Sequence, residues 1–169
     1  AYRAMAPSEN VPELLRKKNI NIFLGSNKHL VSYPIRSGEL INFVFCEDKS
    51  DWLDNKWSIR ANQDEIHKAF NSFPIINELN NIFDNVFKWG LFGYKPLDSW
   101  NKKKLMIVGD ACHPFLPYLA QGTNQALEDA FGLTKFFFDD KKIKDSFNFD
   151  KFTNFRKDRI FRVYKASSN

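Results

Sequence analysis

Between residues 19 and 48 the chain reads as three apolar-rich runs separated by short turns. The runs are Asn19-Ile20-Asn21-Ile22-Phe23-Leu24, Lys28-His29-Leu30-Val31-Ser32-Tyr33-Pro34-Ile35 and Glu39-Leu40-Ile41-Asn42-Phe43-Val44-Phe45. Gly25-Ser26-Asn27 and Ser37-Gly38 lie between them and have the composition of hairpin turns. Connections this short join antiparallel neighbours, so the segment predicts an antiparallel meander. Strand alternation then places His29, Val31 and Tyr33 on one face and Leu30 and Ser32 on the other.

Around the meander the pattern is mixed. Residues 7 to 17 read as a turn and a short helical piece, with Pro7-Ser8-Glu9 as the entry signal. Residues 62 to 84 carry Ile66, Ala69, Phe70 and Phe73 at helical spacing and predict two helical pieces broken near Pro74. His67 falls in the first piece and reads as a surface or hydrogen-bonded helix histidine. A strand is expected over Phe87–Tyr94. Leu105-Met106-Ile107-Val108, fully apolar and ending at Gly109-Asp110, reads as a buried strand. A helix is expected from about Thr123 to Phe138, with Ala126/Leu127, Ala130/Phe131, Thr134 and Phe137/Phe138 repeating on one face. A last helix is expected from about Asp150 to Ala166, with Phe152, Phe155, Ile160 and Val163 inward. Strands first and helices late predict an α+β architecture with a mainly antiparallel sheet. The expected organisation is a sheet with helices over 1–100, a strand–loop–helix over 101–140 and a terminal helix over 141–169.

Composition removes several classes. At 169 residues, 43% hydrophobic and 27% charged, the chain is long enough for a real core and too apolar for a disordered or fibrous protein. No apolar run approaches the roughly 20 residues of a membrane span, and Ala1-Tyr2-Arg3-Ala4-Met5 has no signal core, which predicts a soluble chain. Cys46 and Cys112 lie far apart with no Cys or His at metal-ligand spacing, so no metal site is expected. They read as buried thiols of a reducing, cytoplasmic compartment, although a bridge between them is compatible with sequence alone. The net charge of +5 could suggest nucleic acid. The basic residues are scattered, however, and the one tight run, Lys102-Lys103-Lys104, fits a solvated turn. The 18 phenylalanines cluster in periodic segments without interleaved arginine, as core filling does and a base-stacking surface does not.

The segment that carries chemistry is 105–130. An apolar run delivers a carboxylate, Asp110, at its carboxyl end. A loop bracketed by Pro114 and Pro117 then leads into a helix start at Gly122-Thr123-Asn124. Unpaired N–H groups and a positive helix end meet there, which suits an anionic or carbonyl-rich ligand, while Asp110 can accept hydrogen bonds from ligand hydroxyls. Taken singly, Asp110 could cap a turn and Gly122 could merely start a helix. The combination is harder to explain as packing.

These residues resemble a known family, the FAD-dependent aromatic hydroxylases related to p-hydroxybenzoate hydroxylase. Within it the chain looks most like the salicylate, 3-hydroxybenzoate and 6-hydroxynicotinate hydroxylases. Gly109-Asp110-Ala111-Cys112-His113-Pro114 is similar to the second FAD motif of that family, with Cys112 where Ala is usual. Leu116-Pro117-Tyr118-Leu119-Ala120-Gln121-Gly122 and Glu128-Asp129-Ala130 extend the match. His29–Pro34 and Gly38–Val44 look like its substrate-domain strands, and Arg159–Val163 through Ser167 and Asn169 like its following helix.

The resemblance implies roles position by position. Asp110 matches the acid that binds the ribityl chain of FAD, and Gly122, Thr123 and Asn124 match the backbone that bonds the flavin pyrimidine edge. Pro117 and Tyr118 match the loop that walls the substrate against the flavin. His29 and Tyr33 match positions that contact a phenolic substrate. Glu128 and Asp129 match motif residues and read as helix-terminus and structural groups. In such enzymes NAD(P)H reduces FAD, oxygen forms a flavin C4a-hydroperoxide, and an OH passes to a ring activated as its phenolate. His29 then fits as the group that takes the phenol proton, with Tyr33 or Tyr118 orienting or relaying.

One family feature is absent from the sequence. None of the seven glycines forms the Gly-x-Gly-x-x-Gly turn that holds the ADP half of FAD. The chain therefore reads as the carboxyl-terminal part of a hydroxylase. It is expected either to associate with an amino-terminal FAD-binding half or to self-associate as a homo-oligomer through uncovered sheet edges. Two alternatives stay open: a non-catalytic domain acting only as an interaction module, and a relative that oxygenates non-aromatic substrates.

Overall fold

The computed structural model describes every residue except 18, 50, 51, 53–55, 140, 141, 144–147 and 169. Asn169, the end of the motif match, thus lies outside the described residues. The chain divides into two compact units, Ala1–Gly90 and Leu91–Asn169.

In the first unit, β1 (Tyr2–Pro7), α1 (Glu13–Arg16), β2 (Asn21–Gly25), β3 (Lys28–Ile35), β4 (Leu40–Glu47), β5 (Ser58–Ala61), α2 (Gln63–Phe70) and β6 (Val86–Trp89) follow in order. The six strands form one antiparallel sheet in the order β2-β3-β4-β1-β6-β5. The α+β class is as expected, and the meander holds the register its turns demand, with His29 opposite Leu24 and Cys46 and Tyr33 opposite Asn42. Leu30 and Ser32 are buried, and His29, Val31 and Tyr33 stand on the other face.

Three differences from expectation have local causes. β1 carries Ala4 and Ala6 at its inward positions, residues of low strand propensity, yet it is central because small side chains let the covering layer approach closely. β6 ends at Trp89, short of Tyr94. After Pro74 the second helical piece is a 3₁₀ helix, Pro74–Leu79, rather than an α-helix. α2 is opened by a capping box in which the Asn62 side chain accepts the Glu65 N–H at 3.0 Å and the Glu65 carboxylate accepts the Asn62 N–H at 3.2 Å. Its Ile66 and Phe70, with Phe73, Ile75, Ile76 and Leu79, cover the inner sheet face. Phe45 meets Phe70 edge-on at 5.3 Å, and Phe43 meets Phe83 at 5.1 Å.

In the second unit, β7 (Asn101–Lys102) and β8 (Leu105–Met106) form a hairpin around the exposed turn at Lys103 and Lys104, as the lysine run predicts. Residues 105–108 are therefore not the buried strand that their apolarity suggests. Only Leu105 and Met106 are paired, Leu105 is 70% exposed and Val108 is 37% exposed. An unbroken apolar run reads as buried on both faces, but its ladder partner among the described residues is the two-residue β7 alone.

α3 (Gly122–Phe137), a short antiparallel pair of β9 (Phe138–Asp139) and β10 (Lys142–Ile143), and α4 (Phe149–Ser168) follow, with Asn148 capping α4 by accepting the Lys151 N–H at 2.8 Å. The apolar stripe expected to define α3 is not its buried face. Leu127 and Phe131 are 63% and 64% exposed, while Gln125, Asp129 and Gly132 are buried. On α4, Phe152 and Ile160 are inward as expected, but Phe155 is exposed and Arg156 is buried in its stead. Polar side chains at those positions find charged partners across the two helices, and that outcompetes apolar periodicity. Both cysteines are buried free thiols.

Candidate flavin site

The site in the second unit is organised by a turn. Gly109–Ala111 forms a 3₁₀ turn whose first residue has φ +61°, a left-handed conformation that glycine adopts without the penalty a Cβ brings. A Cβ there would stand 3.4 Å from that of Ala126 on α3, an ordinary contact, so it is the left-handed φ that favours glycine. The Gly109 carbonyl accepts the N–H groups of Cys112 and His113, each at 3.0 Å. This geometry leaves Asp110 exposed at the apex.

Asp110 lies beside the amino end of α3. A Cβ built on Gly122 would be 3.6 Å from Asp110 Oδ1. Intrahelical bonding begins with Gln125 N–H to the Gln121 carbonyl at 2.9 Å, so the N–H groups of Gly122, Thr123 and Asn124 precede the ladder. No side chain caps this end and no acidic residue occupies the first turn. Its positive dipole end is therefore left without a neutralising carboxylate on the helix itself. Thr123 and Asn124 are exposed.

The loop before it, Pro117–Leu119, is a 3₁₀ turn closed by Ala120 at φ +50°. Pro117 and Tyr118 are exposed on it. Upstream, Gly93 takes the Leu116 side chain so closely that a Cβ would sit 2.9 Å from Leu116 Cγ.

Beneath the turn lies a buried ionic cluster. Asp129 Oδ2 accepts the Gly109 N–H at 2.9 Å and His113 Nε2–H at 2.7 Å, and its Oδ1 accepts Arg156 Nε–H at 2.8 Å. Because a carboxylate can only accept, His113 carries its proton on Nε2. Arg156 also donates to Glu128 at 2.7 Å and to the Gln125 side chain at 3.0 Å, and Arg159 grips Glu128 through two bonds of 2.6 Å. Burial pushes the Asp129 carboxyl upward, but the bonds from His113, Arg156 and the Gly109 N–H outweigh it and hold the carboxyl below its ordinary range. Glu128 is lowered to about 2, chiefly by the bond from Arg159, against opposing desolvation and with help from Arg156. The Cys112 thiol is raised to about 12 by burial and then by the Asp129 and Asp110 carboxylates, which makes it unreactive.

Glu128 and Asp129 are both held in this cluster, and they sit in the middle of α3 rather than at a helix terminus. His113 and Arg156 are the residues that sequence reading left without a role. The available signal for Arg156 was its position four residues from both Phe152 and Ile160, a lone cation on an otherwise buried stripe.

His29 and Tyr33 belong to the first unit. They stand on the sheet face opposite the core, and that face also carries the exposed Met5, Ile22 and Leu24. Burial lowers the His29 pKa from its ordinary value and so favours the neutral imidazole. No described helix is long and apolar enough to cross a membrane.

Comparison with known proteins bears on the same residues. Residues 3–139 match the family model described as an FAD binding domain. Over 133 residues the chain is 32% identical to 3-amino-4-hydroxybenzoate 2-monooxygenase of Streptomyces platensis, covering 78% of this chain and 34% of that protein. Over 134 residues it is 31% identical to 3-hydroxybenzoate 6-hydroxylase 1 of Aquipseudomonas alcaligenes, covering 76% and 33%. The chain thus spans about a third of the length of these curated relatives. Among solved structures, a salicylate hydroxylase substrate complex superposes with a TM-score of 0.81 at 23% identity, over 99% of this chain and 45% of that one. CtdE in complex with FAD and substrate superposes with a TM-score of 0.82 at 17% identity, over 99% and 45%. The family model covers both the sheet and the Gly109–Asp129 segment, and the chain belongs to the FAD binding domain family.

Proposed function

We propose that this chain supplies the flavin-ring and substrate side of an FAD-dependent monooxygenase that hydroxylates a phenolic or aromatic acid with NAD(P)H and O2. The observation that carries the reading is the meeting of the Asp110 carboxylate with the uncapped amino end of α3. The residues fit the cofactor. Gly122 lies beside Asp110, so donors and an acceptor stand next to each other, as a ligand with both hydroxyls and ring carbonyls requires.

When bound, FAD supplies the redox chemistry, taking electrons from NAD(P)H and activating O2 for transfer to the ring. Asp110 accepts hydrogen bonds from the ribityl hydroxyls. The N–H groups of Gly122, Thr123 and Asn124 donate to the pyrimidine edge, where the α3 dipole favours negative charge. Pro117 and Tyr118 wall the substrate side. His29 takes the phenol proton, with Tyr33 orienting the hydroxyl, because the ring is attacked as its phenolate. Support for a phenolic acid comes from the relatives above, whose names specify hydroxybenzoates, and from the open sheet face around His29 and Tyr33.

Titration of the full chain with FAD, followed by flavin fluorescence and the visible spectrum, tests the site. Quenching with a perturbed spectrum is expected, as is weakening by Asp110→Ala of about tenfold. A spectrum of free FAD throughout, for this chain and for the hydroxylating enzyme alike, overturns the reading. In the hydroxylating enzyme, His29→Ala is expected to lower kcat about 10²–10⁴-fold and to remove the acidic limb of the pH–rate profile. An unchanged rate and profile assigns the phenol proton to another group.

A second reading, an interaction module without catalysis of its own, is favoured by one observation. Leu127, Phe131 and Phe155 line a groove of about 320 Å³ on the outside of α3 and α4. A colourless oligomer indifferent to FAD would support it.

A further inference from the structure

The turn that presents Asp110 is closed from behind by a single oxygen. Asp129 Oδ2 accepts Gly109 N–H and His113 Nε2–H together, at 2.9 and 2.7 Å, and so joins the two ends of the Gly109–His113 segment. Gly109 C=O closes the same segment from inside by taking the N–H groups of Cys112 and His113. The second oxygen of Asp129 is fixed by Arg156, itself anchored to Gln125 and Glu128. The His113 ring packs between Trp100 and Phe115, with centroids 5.1 and 5.4 Å away. His113, Asp129 and Arg156 are all buried, and among the described residues none of them bonds the exposed Asp110 side chain.

A cluster needed only to cement two helices would have no reason to spend an oxygen on a loop amide and a loop histidine. This one converges on the segment whose apex must face the cofactor, and it holds Gly109 in the left-handed conformation that aims that apex. We propose that Asp129, acting with His113 and Arg156, is the positioning group for Asp110, setting the angle at which the Asp110 carboxylate meets the ribityl hydroxyls. The inference rests on the flavin reading of Asp110. Asp129→Asn keeps the volume but leaves one acceptor oxygen where two are needed. Either the clasp on the turn or the bond from Arg156 is then lost.

The test is a double-mutant cycle on the full chain, titrated with FAD by flavin fluorescence, with circular dichroism melts to confirm folding. Asp129→Asn is expected to weaken FAD binding about tenfold. The double variant Asp110→Ala with Asp129→Asn is expected to bind no more weakly than Asp110→Ala alone, because Asp129 works only through Asp110. Additive losses, or a folded Asp129→Asn chain with wild-type affinity, overturn the inference. Should Asp129→Asn fail to fold, His113 decides. His113→Gln, whose amide can donate to Asp129, is expected to retain most of the affinity that His113→Leu loses, and equal affinities overturn the inference. An Asp110→Ala variant with unchanged affinity, or the absence of FAD binding both in this chain and in the hydroxylating enzyme, would instead sink the flavin reading on which this one stands.

Discussion

The two units bury different kinds of side chain. In Ala1–Gly90 the inner sheet face and α2 enclose Phe43, Phe45, Phe70 and Ile41, all apolar and all fully buried. In Leu91–Asn169 the apolar core is small, with Trp100, Cys112, Phe152 and Ile160. α3 and α4 meet partly through Phe136, which packs on Phe152 and Phe155, and partly through Gln125, Asp129 and Arg156. An apolar core loses stability in proportion to what is removed from it. A buried ionic cluster is brittle, because removing one partner strands the other in a medium that cannot solvate it. The brittle unit is the one that carries the candidate flavin residues, which accords with polar groups being used to fix geometry.

The largest effect expected from this contrast is that of Asp129→Leu. It leaves the Arg156 guanidinium and the Gly109 N–H without their buried acceptor and should cost the second unit about 3–5 kcal/mol. Segment-resolved hydrogen exchange checks this: loss of protection in α3 and α4 with β3 and β4 unchanged sharpens the contrast, and equal loss everywhere breaks it. Gly109→Ala should cost about 1–2 kcal/mol in urea melts, because its φ of +61° strains any other residue. In the first core, Ile41→Val should cost only about 0.5–1.5 kcal/mol by the same melts.

The finest test is acid titration. The folded-state pKa of Glu128 is depressed to about 2 from 4.5, so its contribution is present above about pH 4.5 and is lost as pH falls toward 2. Asp129, also lowered, acts in the same direction. The second unit should therefore lose stability over that window in pH-dependent melts, and Glu128→Gln should flatten the loss.

Legibility in the sequence followed the same division. The meander and the shared face of His29, Val31 and Tyr33 were readable because period-2 alternation and short turns act over a few residues, whereas which face is outward was not. The helix start at Gly122 was readable for the same local reason, but the turn at Gly109 was not, since the apolar run before it reads as a buried strand. The inward face of α3 was not, since Leu127 and Phe131 outrank Gln125 and Asp129 on any hydrophobicity scale. Only the arrival of Arg156 on the facing helix makes the polar stripe the buried one. β1 escaped notice because alanine at its inward positions is acceptable only under a close covering layer.

The sequence by itself determined the antiparallel sheet, the two long helices and the order in which a carboxylate, a proline-bracketed loop and a helix start follow one another. Tertiary structure alone decided which side of each helix is inside, how exposed the apolar run 105–108 is, and that Asp129 clasps both ends of the Asp110 turn. The reason is range. Backbone preferences and periodicity act between neighbours, whereas a buried charge is tolerated only where a partner from a distant part of the chain meets it, and no local pattern announces that meeting.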